Sequence, residues 1–267
     1  MDTVKPLDPK FDPHKVRPKK STKIKKMIAV MSGKGGVGKS TISALIASHA
    51  QKLGHQAAII DGDIIGPSIG HLFNIHQPAY GDANGIQPAI SERGVKIMTS
   101  NMLVKSETTP ILWRGALVTN AIKDFYGQVL WDEIDLMVLD MPPGTGDVAL
   151  TMFQSLNVDG IVIVTSPQDL VSMIVSKAVE MAQQLKIPIL GIIENYSYFV
   201  CDQCEALHHP FGESKLEALA EKYGLKLLAQ LPIDPEINTL GDLGQIEDVE
   251  HEVFTTLVQS LMESSDV

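Results

Sequence analysis

Cysteine is scarce in this chain. Two among 267 residues, Cys201 and Cys204, cannot build a disulfide framework, so the fold must be held by burial. A reducing, cytoplasmic setting is the expected one. Long hydrophobic runs are missing as well. None reaches the roughly 18 residues that crossing a bilayer takes, and nothing ahead of the first apolar segment reads as a secretory signal. Stable membrane association is therefore not expected. Basic residues thin out once the N-terminus is passed. Residues 1–26 hold nine Lys/Arg against three Asp, a net of +6, whereas the rest holds 13 Lys/Arg against 29 Asp/Glu, a net of −16. An acidic body argues against specific nucleic-acid binding. The basic stretch Lys15–Lys26 carries no aromatic platform and reads as a solvated, partly disordered leader, with partner docking or weak DNA or membrane contact as its other uses.

What is there suffices for one core. At 44% hydrophobic content the chain supports a leader over 1–26 and a single domain over 27–267, without internal repeats. Apolar strand-like runs alternate with helical periodicity, which predicts an α/β fold: a doubly wound, mostly parallel sheet covered on both faces. Strands are expected at Lys26–Met31, Ala57–Asp61, Val95–Thr99, Ile134–Asp140, Gly160–Thr165, Ile189–Ile193 and Leu225–Leu228, with a hairpin across Gly85–Ser100. Helices are expected at Thr41–Ser48, Gly115–Leu130, Asp147–Leu156, Gln168–Leu185, Glu213–Tyr223 and Val249–Met262.

The chemistry begins at Gly33, Lys34, Gly35, Gly36, Val37, Gly38, Lys39 and Ser40. Gly33, Gly38, Lys39 and Ser40 fit the G-x-x-x-x-G-K-[ST] frame. Its glycines let successive N–H groups turn inward around phosphate oxygens. Lys39 is placed to neutralise β/γ-phosphate charge and the Ser40 hydroxyl to ligate Mg²⁺. A buried strand precedes the loop, and a helix starting near Thr41 points its dipole at the phosphates. Gly33–Thr41 is thus the expected ATP-binding segment. Lys34 is an extra cation that an ordinary phosphate loop does not need. It either reaches across a dimer interface to the partner's nucleotide, as an arginine finger does, or is solvated.

Asp61, Asp140 and Asn195 all fall at predicted strand ends, where open α/β sheets bind ligands, and three further constellations follow. In Asp61-Gly-Asp63, two carboxylates two apart can hold Mg²⁺-bound water and orient an attacking water, or simply make an Asp-Gly turn. Asp140 closes an apolar run and can hold Mg²⁺ through water. It is followed by Met-Pro-Pro-Gly-Thr-Gly-Asp147, a stiff loop that could report the γ-phosphate, unless Asp147 only caps the next helix. Cys201-Asp-Gln-Cys204 offers two thiolates at i and i+3, half of a four-ligand site that a symmetric dimer would complete. His208 and His209 make zinc or a mixed ligand set an alternative. Redox use is not expected, because no thioredoxin-like strand is predicted before the pair. Asn195-Tyr-Ser197 matches a glycosylation acceptor by chance in a cytosolic chain.

The lysine-bearing loop resembles that of the deviant Walker A ATPases, among them MinD, ParA and the nitrogenase iron protein. Asp61-Gly-Asp-Ile-Ile-Gly-Pro-Ser68, Trp113-Arg-Gly115, Asp140–Asp147, Gly191-Ile-Ile-Glu-Asn195 and Leu231-Pro-Ile-Asp234 narrow it to the Mrp (ApbC-like) branch, over about Met27 to Asp242. That resemblance implies an ATP-dependent iron–sulfur cluster carrier or scaffold. It implies a nucleotide sandwich homodimer through Lys34, and Asp63 beside the attacking water. It also implies Asn195 and Pro232 near adenine, and a [4Fe–4S] cluster bridging two subunits through Cys201 and Cys204 for delivery to apo iron–sulfur proteins. The family's usual Cys-Pro-x-Cys-Gly pattern carries Asp202 and Glu205 here, whose negative charges disfavour an anionic cluster. No cysteine precedes Cys201, so a second, N-terminal cluster is not implied. The contrasting possibility is a ParA/MinD-like positioning switch without metal. Val249–Met262 lacks the Lys/Arg-rich face that such a switch would use on anionic lipid.

Overall fold

The structure, a computed structural model, describes residues 15–103, 116–167 and 171–263. Trp113-Arg-Gly115 lies outside the described residues. In chain order the elements are β1 (Lys23–Ser32), α1 (Lys39–Lys52), β2 (Ala57–Asp61), α2 (Ile69–Leu72), β3 (Tyr80–Gly81), β4 (Ile86–Gln87), β5 (Ala89–Ile90) and β6 (Lys96–Met98). Then come α3 (Ala116–Gln128), β7 (Glu133–Asp140), α4 (Asp147–Ser155), β8 (Gly160–Thr165), α5 (Val171–Leu185) and β9 (Ile189–Val200). The chain continues through β10 (Leu207–His208), α6 (Leu216–Tyr223), β11 (Leu227–Pro232), α7 (Pro235–Asp242) and α8 (Glu252–Glu263).

The main sheet runs β10-β9-β8-β1-β7-β2-β6-β5, with β11 also on β9. Every pairing from β11 through β9, β8, β1, β7 and β2 to β6 is parallel, while β5 and β10 add antiparallel edges. The central strands are buried on both faces because they are apolar without alternation: β8 is buried throughout, and β1 from Lys26 onward. One core lies under α3–α6 and is built on Phe125, Trp131, Phe153 and Val175; the other packs Ile42, Leu45 and Ile46 of α1 against the sheet. Phe254, Leu257, Val258 and Leu261 of α8 close that second core, so the apolar face of the terminal helix is spent inside the domain. Lys26, buried in β1, reaches back to hold the Leu261 carbonyl.

Several boundaries differ from expectation, each for a reason. The domain starts before residue 26: β1 begins at Lys23, and Val16 donates its N–H to the Ser155 carbonyl at 2.8 Å. Residues 15–26 are therefore tied to the domain, with Thr22 and Lys26 buried while Arg17, Lys20, Ser21, Lys23 and Lys25 stay exposed. Strand β9 continues seven residues beyond Ile193, because β11 and then β10 supply partners that local sequence cannot reveal. Asn195 therefore sits inside a strand rather than at its end. Helices α2 and α7 were not expected, although α7 carries the signals: Asp234 accepts the Glu236 N–H at 2.8 Å as N-cap, and Pro235 opens the helix.

Parallel register brings the working strand ends together. Asp61 stands opposite Asp140, and Val30, near the end of β1, is also in register with Asp140. This is the carboxyl edge where open α/β sheets bind ligands. The junction is tight at Gly62, whose N–H donates to the Asp140 carbonyl at 2.7 Å and whose Cβ, if present, would lie 2.5 Å from that oxygen. Gly62→Ala should therefore lose about 1–3 kcal/mol of stability in urea titration and displace Asp63. A variant as stable as the parent would show that this edge yields freely.

Candidate functional site

Ser32 ends β1 and hands the chain to the glycine loop. Gly36 and Gly38 adopt left-handed φ of 80° and 78°, which turns the loop into the first turn of α1. Gly38 is required twice over, since a Cβ there would fall 2.2 Å from Asn195 Nδ2. Asn195 itself is buried and donates that amide to the Val37 carbonyl at 3.0 Å. A cleft of about 210 Å³ opens over the loop. Gly35, Gly36, Gly38 and Lys39–Thr41 line it, with Asp63 and Pro143 across from them. Lys34 is half-buried at the loop's start, and its carbonyl accepts the Ser32 hydroxyl at 3.0 Å.

Behind the loop lies a charged core. Asp140 is fully buried and accepts from Lys39 Nζ, Ser40 Oγ and Ser43 Oγ, each at 2.6 Å. Such a cluster persists because every oxygen finds a donor or a cation. Asp61, equally buried, has a different task. Its oxygens accept the N–H groups of Asp63 (3.1 Å), Ser68 and Ile69 (both 3.2 Å) and the Thr99 hydroxyl (3.1 Å). It thereby folds the segment from Gly62 to Ile69 around itself, while Asp63 is left to face the cleft. Burial, and then the charge of Asp140, pushes the Asp61 carboxyl up to about 7.

That shift has a sign. A folded-state value above the unfolded one means that the folded chain holds a proton the unfolded chain has lost. The corresponding stability is full below the ordinary carboxylate range and is lost as pH rises through about 7. Between pH 5 and about pH 9, the parent should lose stability relative to Asp61→Asn, which cannot ionise. Urea titrations of both across that range check it, and a pH-independent difference would refute the assignment.

A second, smaller cleft adjoins the loop. Thr41, Asn195 and Pro232 line it, together with Tyr196, Asp234 and Asn238. Asp147 is not the cap of α4: Gly146 holds that position and Asp147 is the first helical residue, exposed in the first turn where a carboxylate suits the dipole. A larger cavity, about 770 Å³, lies between Glu194, Phe211 and α6, and no residue expected at the site lines it.

The cysteines stand apart from the phosphate loop. Cys201 directly follows β9, and the chain turns through Cys204 into β10. A strand does precede the pair, contrary to expectation, but a hairpin rather than a helix follows it. The Cys201 sulfur accepts the N–H groups of Gln203 and Cys204 and the Cys204 thiol, which lowers its pKa and favours thiolate. The turn therefore suits a soft metal. His208 and His209 do not join it. The His208 ring stacks on Phe199 at 4.8 Å, and His209 Nδ1 pairs with the Ser197 carbonyl at 3.2 Å. Among the described residues, no three Cys, His, Asp or Glu side chains gather to hold a metal. Glu205 takes φ 59°, a conformation glycine adopts without strain, which explains physically why glycine suits this position. Phe199, Val200 and Leu207 remain exposed beside the thiols.

Three contributors escaped the sequence. Ser43 lies one turn past Ser40 on the same helix face, so its reach to Asp140 had a periodic signal. Thr99 follows the end of β6, next to β2, and could be suspected from strand order alone. Tyr196, with φ 59° inside a strand, had no local signal.

Comparison with known proteins places this geometry. The profile described as "ParA: NUBPL iron-transfer P-loop NTPase" matches residues 23–264. A protein named iron–sulfur cluster carrier protein from Aquifex aeolicus is 40% identical over 235 residues, covering 87% of this chain and 64% of the relative. One of the same name from Pyrococcus furiosus is 41% identical, covering 84% of this chain and 80% of the relative. The chain thus spans less than two thirds of the Aquifex protein. A nucleotide-binding protein from Archaeoglobus fulgidus, solved in complex with ADP and with Co found, is 41% identical with a TM-score of 0.78, over 86% of this chain and 91% of that one. MinD from Pyrococcus furiosus, at 18% identity, TM-score 0.63 and coverage of 90% and 99%, shares the fold. Loop, carboxylates and matched length agree, and the chain belongs to the NUBPL iron-transfer family of P-loop NTPases.

Proposed function

We propose that the chain works in the cytoplasm as a homodimer that binds Mg²⁺–ATP and hydrolyses it slowly. The cycle serves to receive an iron–sulfur cluster between two Cys201–Cys204 turns and release it to apo iron–sulfur proteins. The observation that carries this is a two-thiol turn at the end of the strand that also braces the phosphate loop. Two thiolates leave a four-ligand site half made, and a second copy completes it. The exposed Phe199, Val200 and Leu207 give that copy apolar surface to cover. The names of the relatives support the cargo, and the ADP complex of the Archaeoglobus protein supports the nucleotide.

In this mechanism Lys39 exchanges the Asp140 carboxylate for phosphate oxygens, and Lys34 adds positive charge at the partner's nucleotide. Asp63, facing the cleft, positions the attacking water. The hydroxyl of Ser40 and the carboxylate of Asp140, already 2.6 Å apart, are hard oxygen donors that fit Mg²⁺. Asp61 supports the same shell from behind. When bound, Mg²⁺ would neutralise charge on the β- and γ-phosphates. Asn195, Thr41 and Pro232 flank the base.

A positioning switch that docks on membrane is less well supported, because the apolar face of α8 is already buried against α1. The deciding experiment is anaerobic reconstitution with iron and sulfide, with iron counted per dimer. One labile cluster per dimer is expected, and a dimer that takes zinc but never iron and sulfide would sink the carrier. Asp63→Ala should bind ATP yet hydrolyse it at least ~100-fold more slowly, trapping the dimer. Turnover at the parent rate would move the water-positioning role to another carboxylate.

A further inference from the structure

Strand β9 meets the phosphate loop in its middle and carries the cysteine turn at its end. In a regular strand, successive side chains point to opposite faces. Asn195 and Tyr196 do not. The Asn195 amide and the Tyr196 hydroxyl both lie over Gly38, at 2.2 and 3.0 Å from where its Cβ would stand. The cause is the Tyr196 backbone, whose φ of 59° is uncommon for a bulky residue. Pairing with β11 slips at the same place: Gln230 stands opposite Glu194, but Pro232 stands opposite Tyr198. Four residues of β9 thus span what two span on β11, a bulge that re-aims the side chains it carries.

The other face clamps this bulge. Buried Glu194 accepts Ser197 Oγ at 2.7 Å, Ser214 Oγ at 2.9 Å and Gln230 Nε2 at 3.1 Å. Strained backbone persists only where its surroundings over-determine it, and here the phosphate loop is one of the two sides. Beyond the bulge, register with β8 has ended at Glu194, and Phe199 and Val200 pair with β10 before Cys201. If Tyr196 relaxed to extended backbone, side-chain alternation from Ser197 to Val200 would invert. That relaxed form would be a second, discrete arrangement of the bulge, of the kind transmitted coupling requires.

We propose that Tyr196 is a positioning residue that ties the state of the phosphate loop to the setting of the Cys201–Cys204 turn. The proposal rests on the nucleotide half of the proposed function and is independent of the cargo. Nucleotide on the loop biases the Gly38 contact, the contact selects the bulge, and the bulge sets how the two thiols are presented.

The chain holds two cysteines, both in this turn, so a thiol reagent reports on it alone. The full-length chain is treated with Ellman's reagent, with and without Mg–ADP, each variant being compared at its own saturating nucleotide. In the parent, ADP is expected to change the thiol rate by about fivefold or more. Tyr196→Gly, which removes the ring and the strain together, should respond by less than about twofold, while Tyr196→Phe retains the response. Ser197→Ala, which loosens the clamp from the other face, should also weaken it. A parent that binds ADP without any change in thiol rate overturns the coupling alone. So does a full response in both Tyr196→Gly and Ser197→Ala. A parent that binds no ADP fails the nucleotide reading itself.

Discussion

Lys39→Ala is expected to lose nucleotide affinity by about 100-fold or more, because its ammonium lines the cleft proposed for the β/γ-phosphates. The same change should lower stability by about 3–5 kcal/mol, since it removes one partner of a buried ion pair. Lys39 is 7% and Asp140 0% exposed, and their contact is 2.6 Å. Without the lysine, Asp140 keeps the Ser40 and Ser43 hydroxyls but no cation. The two losses separate in the double variant Lys39→Ala, Asp140→Asn. Removing both charges should recover much of the stability and none of the affinity. Fluorescent-nucleotide titration and urea unfolding on the same samples measure both. Tight binding by Lys39→Ala would remove the phosphate role of the loop.

The second large effect concerns cargo. Cys201→Ala or Cys204→Ala should abolish iron retention after anaerobic reconstitution, because one thiol per chain leaves even a dimer two ligands short. Nucleotide binding should survive either change, since the thiols lie beyond the end of β9 and line neither cleft at the loop. Asp202→Pro, Glu205→Gly should retain a cluster better than the parent at low ionic strength. It removes four carboxylates per dimer from beside an anionic cluster, a repulsion that salt otherwise screens. It also relieves the left-handed backbone at residue 205. Iron counts that do not fall in the cysteine variants would place the cluster elsewhere.

The phosphate loop, the strands around it and the two aspartates at strand ends were legible because each is a local pattern. Gly36 and Gly38 needed only their own φ, and β8 only its run of apolar residues. The helix at α7 is equally local, with Asp234 and Pro235 as its signals. By contrast, the roles behind the cleft depend on which strands become neighbours. Ser43 and Lys39 meet Asp140 across 97 and 101 residues of chain, and Thr99 meets Asp61 across 38. No periodicity encodes those distances.

By itself the sequence determined a parallel α/β sheet, a phosphate-binding loop with an additional lysine, and a pair of thiols with the spacing of half a metal site. Those properties follow from composition, periodicity and turn chemistry within a few residues. The tertiary structure alone decided that Asp61 organises the segment after β2 while Asp63 faces the cleft, and that residues 15–26 are tied to the domain. It also decided that His208 and His209 take partners other than the thiols, and that a bulge at Tyr196 joins the loop to the strand leading to Cys201. Each of these depends on register between segments far apart in the chain, and register is fixed by the packing of the whole sheet rather than by any local preference.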